Sequence, residues 1–78
     1  MPSNGTVRIE LTRAEALVLF EFLYVANEQN RFQYADKAEQ FVIWYVIARL
    51  EKELDELFDP KFYELLERAR DEVRDEKG

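Results

Sequence analysis

The stretch QFVIWYVIARLEKEL, residues 40–54, decides how this 78-residue chain folds. Its first half, Phe41–Ala48, carries no charged side chain, and its second half repeats leucine at the spacing of an amphipathic helix. The preceding residues 36–39, DKAE, fit a capping box, and no Gly or Pro follows before Pro60. A buried strand is the alternative for so short an apolar run, but the cap and the unbroken continuation favour one helix over residues 37–57.

Two further helices flank this one. Residues 12–15, TRAE, fit a second capping box, and the mostly apolar segment behind them predicts a helix over residues 13–27. Asp59-Pro60 is a favoured helix start, and the pattern after it predicts a helix over residues 60–75. The apolar stripe of that last helix consists of Phe62, Leu65, Leu66, Ala69 and Val73.

Residues 6–11 precede the helices and alternate Val7, Ile9 and Leu11 with polar side chains. This period of two predicts a short N-terminal β-strand. A lone strand leaves its backbone groups unpaired, so it either pairs with a copy of itself across a dimer or lies as an extended arm on the helices. The predicted fold class is mainly α: the strand and three helices in a helical bundle, forming a single small domain over residues 1–78 with a flexible start at residues 1–5.

Composition excludes several classes of function. The net charge of −6 disfavours binding to nucleic acid or to an anionic membrane. The apolar run is too short to cross a bilayer, and the first ten residues lack the apolar region of a signal peptide. The chain has no cysteine and no histidine, so it lacks thiolate ligands, the commonest metal ligand and the usual general base. We therefore expect a cytoplasmic protein that is not an enzyme.

Carboxylates are the remaining candidates for chemistry. Glu15 and Glu21 lie on a mostly apolar helix, and Glu51, Asp55 and Glu56 could supply oxygen ligands to Mg²⁺ or Ca²⁺. In both cases a solvent-facing helix edge explains the pattern better. We expect no catalytic residue, no metal site and no cofactor.

The central helix is apolar on more sides than a domain of this size can cover. Its natural inward stripe consists of Ile43, Ile47, Leu50, Leu54 and Leu57, which leaves other apolar residues facing elsewhere. A large uncovered patch marks an interface, so we predict a homodimer. The candidate self-association surface consists of Phe41, Val42, Tyr45 and Val46, together with Val7 and Ile9 of the predicted strand.

The end of the same helix is densely acidic. Five carboxylates and one lysine fall within residues 51–59, a local charge of −4. A basic protein partner would complement such a surface, although a charged face also serves solubility. The candidate acidic partner surface consists of Glu51, Asp55, Glu56 and Asp59.

The strings IELTRAEALVLFEFL, AEQFVIW, LEKELDELFDP and YELLERAR together carry a resemblance over most of residues 7–70. The chain resembles a group of short bacterial helical proteins of uncharacterised function, which share an LTxxEALVLFE opening and a late FDP helix start. The resemblance implies an immunity or antitoxin-like role. The predicted function is a non-enzymatic protein–protein interaction module that inhibits a partner through its acidic helical surface. The alternative is a structural or assembly module of a larger complex.

Overall fold

The computed structural model describes the backbone of residues 5–77 and the side chains of residues 5–76. It is a mainly helical bundle, as predicted. Of the predicted flexible start, only Gly5 lies within the described residues. The helices are α1 (Arg13–Glu28), α2 (Lys37–Glu53) and α3 (Phe62–Lys77), with a short 3₁₀ helix (Asp55–Phe58) between α2 and α3.

Local hydrogen bonds define both ends of α1. The Thr12 hydroxyl accepts from the Glu15 N–H (3.1 Å), and the Glu15 carboxylate accepts from the Thr12 N–H (2.9 Å), which confirms the capping box. At the other end, Asn30 has φ 53°, and the Arg31 N–H donates to the Ala26 carbonyl (2.9 Å). This is the Schellman arrangement, and asparagine tolerates its left-handed residue. The chain can therefore turn sharply after α1.

The core lies mainly between α1 and α3. Helix α1 packs more extensively against α3 than against α2. All five members of the predicted α3 stripe belong to this packing, and Leu66 and Ala69 are buried. Burying such stripes is the main favourable contribution to folding. The buried core cluster consists of Ala14, Leu17, Phe20, Leu54, Leu66 and Ala69.

Helix α2 ends at Glu53, four residues before the predicted end at residue 57. Leu54 leaves the helix with φ −105° and ψ 95°, and its side chain enters the core with 2% exposure. The Arg13 guanidinium donates to the Glu53 carbonyl (3.2 Å), one of the acceptors that a helix end leaves without an intrahelical partner. The predicted end of the helix was wrong because leucine keeps recurring at helical spacing after Glu53, although the α-helix has ended and a 3₁₀ helix follows.

The predicted strand at residues 6–11 is wrong. Among the described residues 5–77 there is no strand at all, so segment 6–11 has no second strand with which to share ladder hydrogen bonds. Val7 is 90% exposed and Ile9 is 79% exposed. The strand was predicted only from the alternation of apolar and polar residues, and this alternation does not supply a second strand for pairing.

The starts of α2 and α3 depart slightly from their predicted caps. The Asp36 carboxylate accepts from the Ala38 N–H (2.7 Å), but Glu39 accepts from the Ala35 N–H (2.8 Å), so the reciprocal box is incomplete. The Asp59 carboxylate accepts from the Lys61 N–H (2.7 Å), and α3 begins after this turn, two residues later than predicted.

Candidate functional site

The side of α2 that faces away from the rest of the protein is an exposed, largely apolar surface, which we call the outer face. Its residues recur every three or four positions and therefore share one side of the helix. Phe41 is 57% exposed, Val42 59% and Tyr45 62%. All members of the outer face are exposed, namely Ala38, Phe41, Val42, Tyr45, Ala48, Arg49 and Lys52.

The opposite side of α2 is only partly covered. Ile43, Ile47 and Leu50 are half-buried, as the predicted inward stripe requires. Of the residues of α2, all of which the structure describes, none is fully buried. Because α1 packs more extensively against α3 than against α2, α2 is the most weakly covered helix of the bundle.

Trp44 lies beside the outer face and fixes α2 against α1. Its indole N–H donates to the Asn27 side-chain carbonyl (3.1 Å), and its ring centroid lies 6.1 Å from that of Phe41. The residue remains 45% exposed. The aromatic surface of α2 therefore extends from Tyr45 through Phe41 to an indole whose polar atom is already satisfied.

The candidate self-association residues separate into two groups. Phe41, Val42 and Tyr45 lie together on the outer face, whereas Val46 is half-buried at its edge. Val7 and Ile9 are exposed but belong to the extended N-terminal segment. Ile9 instead lines an open groove of about 640 Å³ beside Leu50 and Leu54, at the end of α2. The structure does not bring the two groups together on one surface.

Asp55 and Glu56 of the acidic partner surface lie next to Arg13. The Arg13 guanidinium donates to both carboxylate oxygens of Glu56, at 2.7 and 2.8 Å. The hydrogen bond from Arg13 lowers the pKa of Glu56, although partial burial opposes the shift. The same bond, and then the charges of Glu56, Asp55 and Glu53, raise the pKa of Arg13. One of the four acidic charges is thus compensated within the protein.

The other two acidic residues lie elsewhere. Glu51 borders a shallow depression with Trp44 and Tyr24, and Asp59 caps the turn before α3. Between Asp55 and Asp59 the Phe58 side chain is 81% exposed. The predicted acidic surface is therefore not one cluster of carboxylates, and an exposed aromatic residue separates two of its members in the sequence.

The described residues show few features of a ligand-binding or metal-binding site. Two charged residues that line the 640 Å³ groove are already engaged, Glu15 in the capping box and Arg13 with Glu56. Within residues 5–76, no three acidic side chains converge closely enough to hold a metal ion. None of the helices in the described part of the chain is long and apolar enough to cross a membrane.

Comparisons with protein-family models, with curated proteins and with solved structures found no match to this chain. The resemblance to short bacterial helical proteins therefore stays a prediction. The assignment of function rests on the surfaces described above.

The sequence patterns did not indicate two contributors to these surfaces. Arg49 extends the outer face, and its guanidinium lies 5.8 Å from the centre of the Tyr45 ring, an arrangement that its position four residues later could have indicated. Phe58 is also a surface residue, 81% exposed. Its place after the leucine repeat predicted burial, and the end of α2 at Glu53 turns it outward.

Proposed function

We propose that this chain is a non-enzymatic protein–protein interaction module whose main binding surface is the outer face of α2. The observation that carries the proposal is the exposure of Phe41, Val42 and Tyr45 on one side of a 17-residue helix. Together with half-exposed Trp44 they leave roughly 400 Å² of side-chain surface in water, which is the size of the largest apolar patch on a typical monomer, a patch that often binds a partner.

Stability alone gives no reason for this surface. From the α2 region the core cluster takes Leu54, with Ile47 and Leu50 packed against it, and it takes no residue of the outer face. Alanine or lysine on the outer face would preserve the helix, because both are strong helix formers and neither exposes an aromatic ring. Large exposed apolar side chains favour aggregation unless a partner covers them. A protein surface that covers the outer face is the economical explanation.

Cysteine labelling in cells tests this proposal, because the natural chain contains no cysteine. Val42→Cys places a thiol on the outer face, and Tyr63→Cys places a control thiol on α3 at a position that is 74% exposed. We expect the thiol at position 42 to react with a maleimide more slowly in cells than in dilute purified protein, while the thiol at position 63 reacts equally in both. Equal labelling of position 42 in the two conditions would contradict the proposal.

A second candidate function is inhibition of a basic protein partner by the acidic partner surface. The 81% exposure of Phe58, which lies between Asp55 and Asp59 in the sequence, favours it, because an exposed aromatic ring on an acidic segment suits an apolar pocket with basic edges. If no partner binds the acidic partner surface, binding through the outer face would make the chain a structural or assembly module.

Matched charge variants distinguish these two functions. The triple variant E51Q/D55N/D59N removes three charges from the acidic partner surface, and E64Q/D75N/E76Q removes three from exposed positions of α3. Co-purification from the source cells should lose a basic partner with the first variant and retain it with the second. If both variants and the natural chain are recovered with the same proteins, the inhibitory function is wrong and assembly remains.

A further inference from the structure

We infer that the occupant of the outer face is a second copy of this chain, with the two α2 helices packed antiparallel about a two-fold axis at Tyr45. This inference rests on the proposed function and names the partner for the same surface. Three properties of the outer face carry it: the positions of its charges, the sizes of its side chains and its area.

The two charges on the outer face itself, those of Arg49 and Lys52, both lie near the C-terminal end of α2. The exposed residues beside the face carry both signs at both ends, with Lys37 and Glu39 near the start of the helix and Glu51 and Glu53 near its end. A parallel pair would place Arg49 against Arg49 and Lys52 against Lys52. An antiparallel pair keeps each of these cations away from its own copy and brings Arg49 toward Glu39 of the second copy.

An antiparallel arrangement about Tyr45 also pairs the two flanks of the helix correctly. Residues equally distant from Tyr45 in opposite directions lie at the same level along the helix axis, and in antiparallel helices each flank meets the same flank of the other copy. Arg49 then lies close to Glu39 of the second copy on one flank. Lys37 lies close to Glu51 on the other flank. Each flank of the dimer thereby gains an ion pair.

Side-chain sizes are complementary in the same register. The N-terminal half of the outer face carries the bulky Phe41 and Val42, and the C-terminal half carries the small Ala48. In the antiparallel pair Phe41 packs on Ala48, which shares its flank, and Val42 packs on the methylene groups of Arg49. Small residues opposite large ones allow two helices to approach closely, whereas a parallel pair would place Phe41 against Phe41.

The area fits a weak and reversible dimer. Two copies contribute roughly 800 Å² from the exposed apolar side chains, and the flanking residues raise the buried total toward the roughly 1,200 Å² of small specific interfaces. Interfaces of this size without a deep pocket bind in the micromolar range or more weakly. The dimer is therefore concentration-dependent, and the monomer retains its fold because the core cluster needs no second copy.

Disulfide trapping tests both the occupant and its orientation, using Ala38→Cys and Lys52→Cys. Both positions are exposed and outside the core. In the antiparallel pair, position 38 faces position 52, while the two copies of position 38 lie about 21 Å apart along the axis. Disulfides require Cα atoms within about 7 Å, so only the mixed pair can form one.

We expect an equimolar mixture of the two variants to form covalent dimer at least about tenfold faster than either variant alone, because proximity raises the effective concentration to about millimolar. Tyr63→Cys measures the rate of random collision. Trapping of Ala38→Cys alone as fast as the mixture would overturn the antiparallel orientation. If no sample exceeds the collision rate, the second copy is not the occupant. In that case slow labelling of Val42→Cys in cells would still support the proposed function.

Discussion

Arg13 and Glu56, forty-three residues apart in sequence, form an ion pair that joins the start of α1 to the 3₁₀ helix, with 2.7 Å between Nη2 and Oε1. The same guanidinium nitrogen donates to the Glu53 carbonyl at the end of α2. One side chain therefore fixes three elements where the chain leaves α2, and this is the point that orients the outer face relative to the core.

The ion pair predicts a specific loss of stability in acid. Arg13 holds the pKa of Glu56 below its ordinary value, so the contribution of the pair is fully present above the unfolded-state pKa of about 4.3. It is lost as the pH falls through the lower pKa of the folded state. The difference in Tm between the natural chain and Glu56→Gln should be constant from about pH 7 to about pH 5.5 and should shrink at lower pH.

Glu51→Gln is the control for that experiment, because it removes an exposed carboxylate from the same region without breaking the Arg13 contact. Its Tm should differ less from that of the natural chain at neutral pH. A Glu56→Gln variant as stable as the natural chain at neutral pH would contradict a contribution from the ion pair.

Leu54 should be far more important for stability than the larger Phe58. Leu54 is 2% exposed within the core cluster, and truncation of such a leucine to alanine costs about 2–5 kcal/mol of unfolding free energy. Phe58 is 81% exposed, so Phe58→Ala should change the unfolding free energy by less than about 0.5 kcal/mol. Urea denaturation followed by circular dichroism measures both, and similar losses for the two variants would contradict this placement of Leu54.

The first capping box should also make a measurable contribution. Thr12→Ala removes the hydroxyl that accepts from the Glu15 N–H, a change that costs about 1 kcal/mol at helix N-caps. Thr6→Ala is the matched control, since Thr6 is exposed in the extended N-terminal segment. Equal urea midpoints for the two variants would show that the cap does not stabilise α1.

Trp44, the single tryptophan, reports on the outer face without a label. It is 45% exposed beside Phe41, so an acrylamide quencher should reach it in dilute protein. A second copy on the outer face should shield the indole, and the quenching constant should fall as the protein concentration rises. In Tyr45→Glu, which places opposing carboxylates at the two-fold axis, quenching should be independent of concentration.

The helices and their inward stripes could be predicted because they depend on local caps and on the spacing of apolar residues within a single helix. Phe41, Val42 and Tyr45 could be placed outside for the same reason, since Ile43, Ile47 and Leu50 already occupy the inward side. The break at Leu54 could not be predicted, because it depends on a buried site formed by α1 and α3 and on Arg13. The strand at residues 6–11 was predicted from a pattern whose stability needs a neighbour that the described chain lacks.

Sedimentation equilibrium tests the central claim, that the outer face of α2 binds a second copy, most directly. Between about 1 μM and about 1 mM, a range that spans weak association, the mass of the natural chain should rise from 9.4 kDa toward twice that value. Tyr45→Glu should remain at 9.4 kDa, while Tyr63→Glu, a control on α3, should behave like the natural chain. A natural chain that stays at 9.4 kDa throughout, or a Tyr45→Glu variant that dimerises equally well, would contradict the claim.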